Sequence, residues 1–143
     1  MRSLAYKLIK KIADKRAVDA LIPILKEEDD AARFYAAKAL GGIGSQQAVE
    51  ALADSLNDVD FSVQYMAAKA LVNIGGDPAM NALIDALKNE DETVREIAAG
   101  ALGELGDKRA TSALVAAESD SCETVQKAAR KALDKIEIKD KLI

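Results

Sequence analysis

The side chains able to do chemistry are few in this chain, and histidine is not among them. That absence removes the usual proton shuttle near neutral pH, the commonest metal ligand and every nucleophile arrangement that uses imidazole as its base. Cys122 is the single cysteine, with no disulfide partner in the chain, no Cys or His companions for a metal site and no cationic neighbour in sequence. Carboxylate pairs catalyse without His, and Glu96 and Glu104 fall on one face of a helical segment, but two turns hold them roughly 12 Å apart. Acidic turns such as Asn57-Asp58-Val59-Asp60 lack the Gly and the distal bidentate Glu of a calcium loop, and read as caps. Gly41-Gly42-Ile43-Gly44 and Gly103-Glu104-Leu105-Gly106 read as helix ends, because no strand precedes them and no Lys-Ser or Lys-Thr follows. These readings lead to the expectation of a chain with no enzymatic activity, no metal and no cofactor.

What remains is framework. At 143 residues the chain fits one domain, and its 50% hydrophobic content with only 3% aromatics and no Trp implies a core of Ala, Leu, Ile and Val. Such small side chains suit helices packed closely. The net charge of -4 gives no global reason to seek nucleic acid or an anionic membrane. No apolar run approaches the ~18 residues that span a bilayer, and the first residues lack the long uncharged stretch of a signal peptide, so the expected compartment is the cytoplasm.

From Asp14 onward the sequence aligns without gaps in rows of 31, at 14–44, 45–75, 76–106 and 107–137. Six columns are identical in all four rows, as in Ala17, Ala20, Leu21, Ala36, Ala39 and Leu40. Each row reads as two helices. The first has apolar residues at repeat positions 4, 5, 8, 9 and 12, and the second at 19, 22, 23, 26, 27 and 30, each set marking one buried face. Asp14, Ser45, Asp77 and Asp107 are the expected caps of the first helices, with Pro78 at the first helical position after its cap, and Asp29, Asp60 and Asp91 cap the second. Gly44, Gly75 and Gly106 close the second helices, and Pro23 is expected to bend the first helix of row one. The fold class is therefore all-α, a superhelix of about nine helices in a single repeat domain over 1–143.

The ends differ from the middle. Residues 1–13 match positions 19–31, so the chain opens with half a repeat whose expected buried face is Leu4, Ala5, Leu8, Ile9 and Ile12. Residues 107–143 form a capping repeat and tail: Glu118, Arg130 and Glu137 replace Leu, Ala and Gly where burial lapses at a terminal repeat. Without that Gly the last helix continues toward Ile143, and its apolar residues fold back, meet another molecule or fray.

The second helices, best seen from Thr93-Val94-Arg95 to Gly106, resemble the phycobilisome-lyase-type subclass of HEAT repeats. The resemblance covers nearly the whole chain, which is also similar to the scaffold of the artificial alpha-Rep binding proteins. It implies an α-solenoid whose second helices line a concave face that carries the binding surface. Similar bilin lyases attach or remove chromophores. Deoxyhypusine hydroxylases share the helical architecture and bind iron through His-Glu pairs, which a chain without His does not supply.

On that face the outward columns, from Ser3 to Lys135, hold seven Lys and two Glu, a local balance of +5. Outward positions of the first helices instead carry Asp19, Glu50, Asp54 and Asp85. Aromatics flanked by long cations suit contact surfaces, so the candidate partner-binding residues are Phe34, Tyr35, Tyr65 and Met66, rimmed by Lys38, Lys69 and Asn73, with Glu96, Glu104 and Lys131 in the same columns. A plainer role fits the same residues, with Phe34 and Tyr65 wedged between successive helices and the lysines as solvated surface. The expected function is a protein-interaction scaffold for a partner with an acidic surface. A subunit or fragment of a tetrapyrrole lyase is the second reading, and nucleic-acid binding through the Lys column the third.

Overall fold

The computed structural model describes residues 3–142, and all regular structure within them is helical. Eight α-helices follow one another: α1 (Ser3–Ile24), α2 (Asp30–Ile43), α3 (Val49–Ser55), α4 (Phe61–Ile74), α5 (Gly76–Ala86), α6 (Glu92–Leu105), α7 (Thr111–Ala117) and α8 (Glu123–Lys141). Short 3-10 turns, Gln46–Ala48 and Lys108–Ala110, lead into α3 and α7. None of these helices is long and apolar enough to cross a membrane.

The second helices α2, α4, α6 and α8 pack side by side as one row, the inner row, whereas the first helices, the outer row, touch one another less. Between the two rows lies one core. It is built on Leu40, Leu52, Leu71, Leu83, Leu102 and Leu114, all fully buried, with Val18, Val63, Val94 and Val125 beside them. Asp29, Asp60 and Asp91 accept hydrogen bonds from the first backbone N–H groups of α2, α4 and α6, as their positions predict. Gly44 and Gly106 take the left-handed conformation that ends α2 and α6.

Several expectations are corrected. There are eight helices rather than nine among the described residues, because the half repeat and the first helix of row one are a single helix, α1. Ala13 stands where Gly44, Gly75 and Gly106 stand in later rows. All three glycines have positive φ, a region that costs an Ala roughly 1–2 kcal/mol, so at Ala13 the helix runs on. Asp14 is accordingly no cap but a mid-helix residue paired with Lys10 at 2.9 Å. Leu4, Leu8, Ile9 and Ile12, expected to be buried, are each more than half exposed. Asp77 lies inside the first turn of α5, since Gly75 and Gly76, both at positive φ, turn the chain straight into that helix. Pro23 falls one residue from the end of α1 and marks its end instead of a mid-helix bend. At the other terminus the missing Gly acts as expected: α8 runs to Lys141, where Lys139 donates to the Leu105 carbonyl at the end of α6.

The rows are not equivalent neighbours. A Cβ on Gly41 would lie 2.8 Å from the Ala70 Cα, and one on Gly103 would lie 2.8 Å from the Ala132 Cα, so α2 meets α4 and α6 meets α8 backbone to backbone. The matching residue on α4 is Val72, and α4 and α6 pack together over a smaller surface. Ion pairs follow the same alternation. Arg33 of row one donates to both carboxylate oxygens of Asp58 in row two and to the carbonyls of Glu27 and Glu28. Arg95 of row three repeats this with Asp120, Asn89 and Glu90. Gln64 and Gln126 occupy that column in the even rows. The stack is therefore two 62-residue double repeats, each clamped by glycine contact and a forked ion pair.

Two results should follow. On α6, Gly100→Ala places its Cβ in open space and Gly103→Ala drives one into a backbone. Chemical denaturation should show Gly100→Ala stabilised by about 0.5–1 kcal/mol and Gly103→Ala destabilised by about 1–3 kcal/mol. Acid should also act on the carboxylates. Arg109 holds Asp107 at a pKa of about 2, and hydrogen bonding from Arg95, then from the Cys122 N–H, holds Asp120 below its ordinary value against the opposing effect of burial. A folded pKa below the unfolded value of about 4 contributes stability that is complete above that value and lost as pH falls through the folded one. The melting temperature should fall between about pH 4 and pH 2, and the double variant Asp107→Asn/Asp120→Asn should melt lower at pH 7 with a shallower acid slope.

Candidate functional site

The looser packing between α4 and α6 opens a groove of 580 Å³ on the inner face, crossing from α4 over α6 to α8. Its floor is small and apolar: Ala68, Val72, Ile97, Ala101, Ala128 and Ala132. At Gly100 the column that holds Lys38, Lys69 and Lys131 in the other rows has no side chain, and nothing lies within 4 Å of where a Cβ would be.

Three helices supply its walls. α4 contributes Phe61 and Tyr65, one turn apart with ring centroids 6.4 Å apart and planes inclined by 22°, together with Lys69. From α6 come Glu96 and Glu104, one turn on either side of Gly100. The third wall is a stripe of Lys127, Lys131 and Lys135 on α8. Lys127 is paired with Glu123 at 3.2 Å. Lys69, Lys131, Lys135, Glu96 and Glu104 make no ion pair among the described residues. The groove thus carries four lysines against two glutamates in a chain whose net charge is -4. A second furrow, of 610 Å³ between α3 and α5 on the outer side, is lined by Glu50, Asp54 and Asp85. Charge is segregated by face, as the columns predict.

Of the sequence candidates, Tyr65, Lys69, Glu96, Glu104 and Lys131 line the groove together. Phe34, Tyr35, Lys38, Met66 and Asn73 do not. Phe34 and Tyr35 meet edge to face at 5.1 Å on α2, outside the groove lining. Met66 packs half-buried against the core. Asn73 is exposed beside the contact of Gly41 with α4. Phe61 was missed, because its column holds Asp30, Glu92 and Glu123 in the other rows and reads as the start of the helix. The aromatic pairing at one-turn spacing, Phe61 to Tyr65, was the signal available.

A family model described as HEAT repeats matches residues 1–71 and 55–134. The chain belongs to the HEAT-repeat family. None of the curated proteins compared with this HEAT-repeat chain matches it. Among solved structures it is similar to human deoxyhypusine hydroxylase, with a TM-score of 0.84 and 24% identity over 92% of this chain and 47% of the hydroxylase chain. It is also similar to the complex of CpcE and CpcF of phycocyanin lyase from a Nostoc species, with a TM-score of 0.63 and 30% identity over 86% of this chain and 54% of that one. A designed armadillo repeat protein in complex with a (KR)4 peptide aligns with a TM-score of 0.53 and 24% identity, over 91% of this chain and 68% of the design. The HEAT-repeat chain spans about half the length of the hydroxylase and lyase chains.

These likenesses correct the expectation of a chain without enzymatic activity. A hydroxylase and a lyase are built on the same helical framework, so the framework does not separate scaffolds from enzymes. The lack of His removes particular chemistries. It does not remove the class, because one framework can carry sites of different function.

Proposed function

We propose that this helical repeat scaffold captures a segment of a partner protein in the groove over α4, α6 and α8. The observation that carries the reading is the combination of an apolar floor with unpaired charges above it. A bound segment would set an apolar side chain on Ala68, Val72 and Ile97 against the Phe61–Tyr65 pair, and carboxylates toward Lys69, Lys131 and Lys135. Aromatic anchors beside small residues provide rigid contact area at little entropic cost. The excess of lysine favours a partner with acidic side chains, and complementary charge raises the rate of encounter. Glu96 and Glu104, flanking Gly100, would accept N–H donors from the segment and fix its register.

A tetrapyrrole is the second ligand class, favoured by the 30% identity with the phycocyanin lyase complex. Its flat apolar ring system and carboxylate arms suit the same floor and the same lysines. In that case the chain would serve as a subunit or fragment of a lyase.

The two readings separate in one set of titrations. Peptides selected from a displayed random library against the chain should be enriched in acidic and apolar residues. Their affinity should fall at least about tenfold, or 1.4 kcal/mol, on Tyr65→Ala, Lys69→Glu or Gly100→Gln. The last variant fills the groove while replacing a mid-helix glycine, so it should lose binding with no loss of stability. Peptides that bind all three variants as they bind the unsubstituted chain place the site elsewhere. Biliverdin added to the chain should shift its absorbance, and Gly100→Gln should cancel the shift, only if the tetrapyrrole reading holds.

A further inference from the structure

The N-terminal half of α1 projects from the stack with its apolar face bare. Leu4, Tyr6, Leu8, Ile9 and Ile12 are all 53–69% exposed. Leu8 and Ile9 occupy the repeat columns that are filled by Ala70 and Leu71 on α4, both buried, and by Ala101 and Leu102 on α6. The flank of α2 that such a segment would cover is bare as well. Ala39 is exposed, whereas its counterparts Ala70, Ala101 and Ala132 are buried, and Tyr35 is 62% exposed. In every later row that flank is covered by the second helix of the row before, as α2 covers Ala70 and α6 covers Ala132.

One chain thus holds a second-helix segment without a seat and a second-helix seat without its segment. The segment cannot reach the seat in its own chain while α1 stays straight. Fourteen residues of continuous helix hold Leu4 about 20 Å from Val18, where α1 enters the core, and Ala13 in place of glycine keeps the break closed. A second molecule removes that obstacle.

We propose that the arm formed by residues 4–12 docks on the α2 flank of a second copy of this chain, and reciprocally, giving a dimer by exchange of arms. The occupant is specified by register: the arm carries the apolar columns of a second helix, and docked it extends the inner row α2, α4, α6 and α8 by one element. Lys7 then falls in line with Lys38 and Lys69 on the inner face. Exchange of an identical element between protomers closes with two-fold symmetry and buries both arms at once. The exchange does not depend on what the groove binds.

The test compares the chain with Ala13→Gly by light scattering at tens of micromolar. The unsubstituted chain should show twice the 15.2 kDa chain mass. Ala13→Gly, which restores the glycine of the later rows, should return the mass to one chain as the arm folds onto its own α2. In a Cys122→Ser background, thiols introduced by Lys10→Cys and Ala39→Cys should oxidise to a covalent dimer, and with Ala13→Gly added they should cross-link within one chain. A single-chain mass for the unsubstituted protein with an intrachain cross-link would overturn the proposal, as would a dimer in which the two thiols do not join.

Discussion

Backbone contact between second helices at Gly41 with Ala70, and at Gly103 with Ala132, is the constraint on which the rest of the structure depends. Helices approach this closely only where one side lacks a Cβ and the other carries a methyl group. Two such contacts join row one to row two and row three to row four. The third junction has Val72 in the glycine's column, and there the helices stand off. Other features keep the same two-row period: Arg33 and Arg95 grip the next row only across the close junctions, and the 3-10 turns before α3 and α7 give way to a direct helix start at α5. Interactions of different physical kinds therefore divide a 31-residue repeat into 62-residue units.

The groove follows from where the units meet. A continuous wall of close-packed helices would be a smooth surface with no concavity for a side chain to enter. The wider junction supplies the depth, Gly100 keeps its centre open, and α8 brings three lysines to its far side. The two ion clamps add rigidity to the walls without entering the groove, so changes in the site's surface residues leave the framework in place. That separation is common in repeat scaffolds, where adjacent units supply stability and exposed positions supply recognition.

The repeat, the helix pairs and the side-by-side packing of the second helices were legible because they rest on columns of Ala and Leu that recur every 31 residues. Five of the ten candidate residues meet in the groove for the same reason, since Tyr65, Lys69, Glu96, Glu104 and Lys131 are outward columns of one helix type. What stayed hidden depends on comparing alternate rows. Gly41 and Gly103 read as parts of helix ends, although each faces a neighbouring backbone. Arg33 and Arg95 are neither apolar nor outward, and their partners are 25 residues away across a turn. Ala13 illustrates a missed negative signal. The absent glycine at Glu137 was read as a longer last helix, and the same reasoning applied at Ala13 gives the unbroken α1.

The central claim is that the residue at one column sets the spacing of neighbouring double repeats. A crystal structure of Val72→Gly tests it most directly. With the side chain gone, α6 should move against α4 to the distance that separates α2 from α4, and the groove should close. An unchanged separation, with a void where the valine had been, would show that the junction is held open by something other than that side chain.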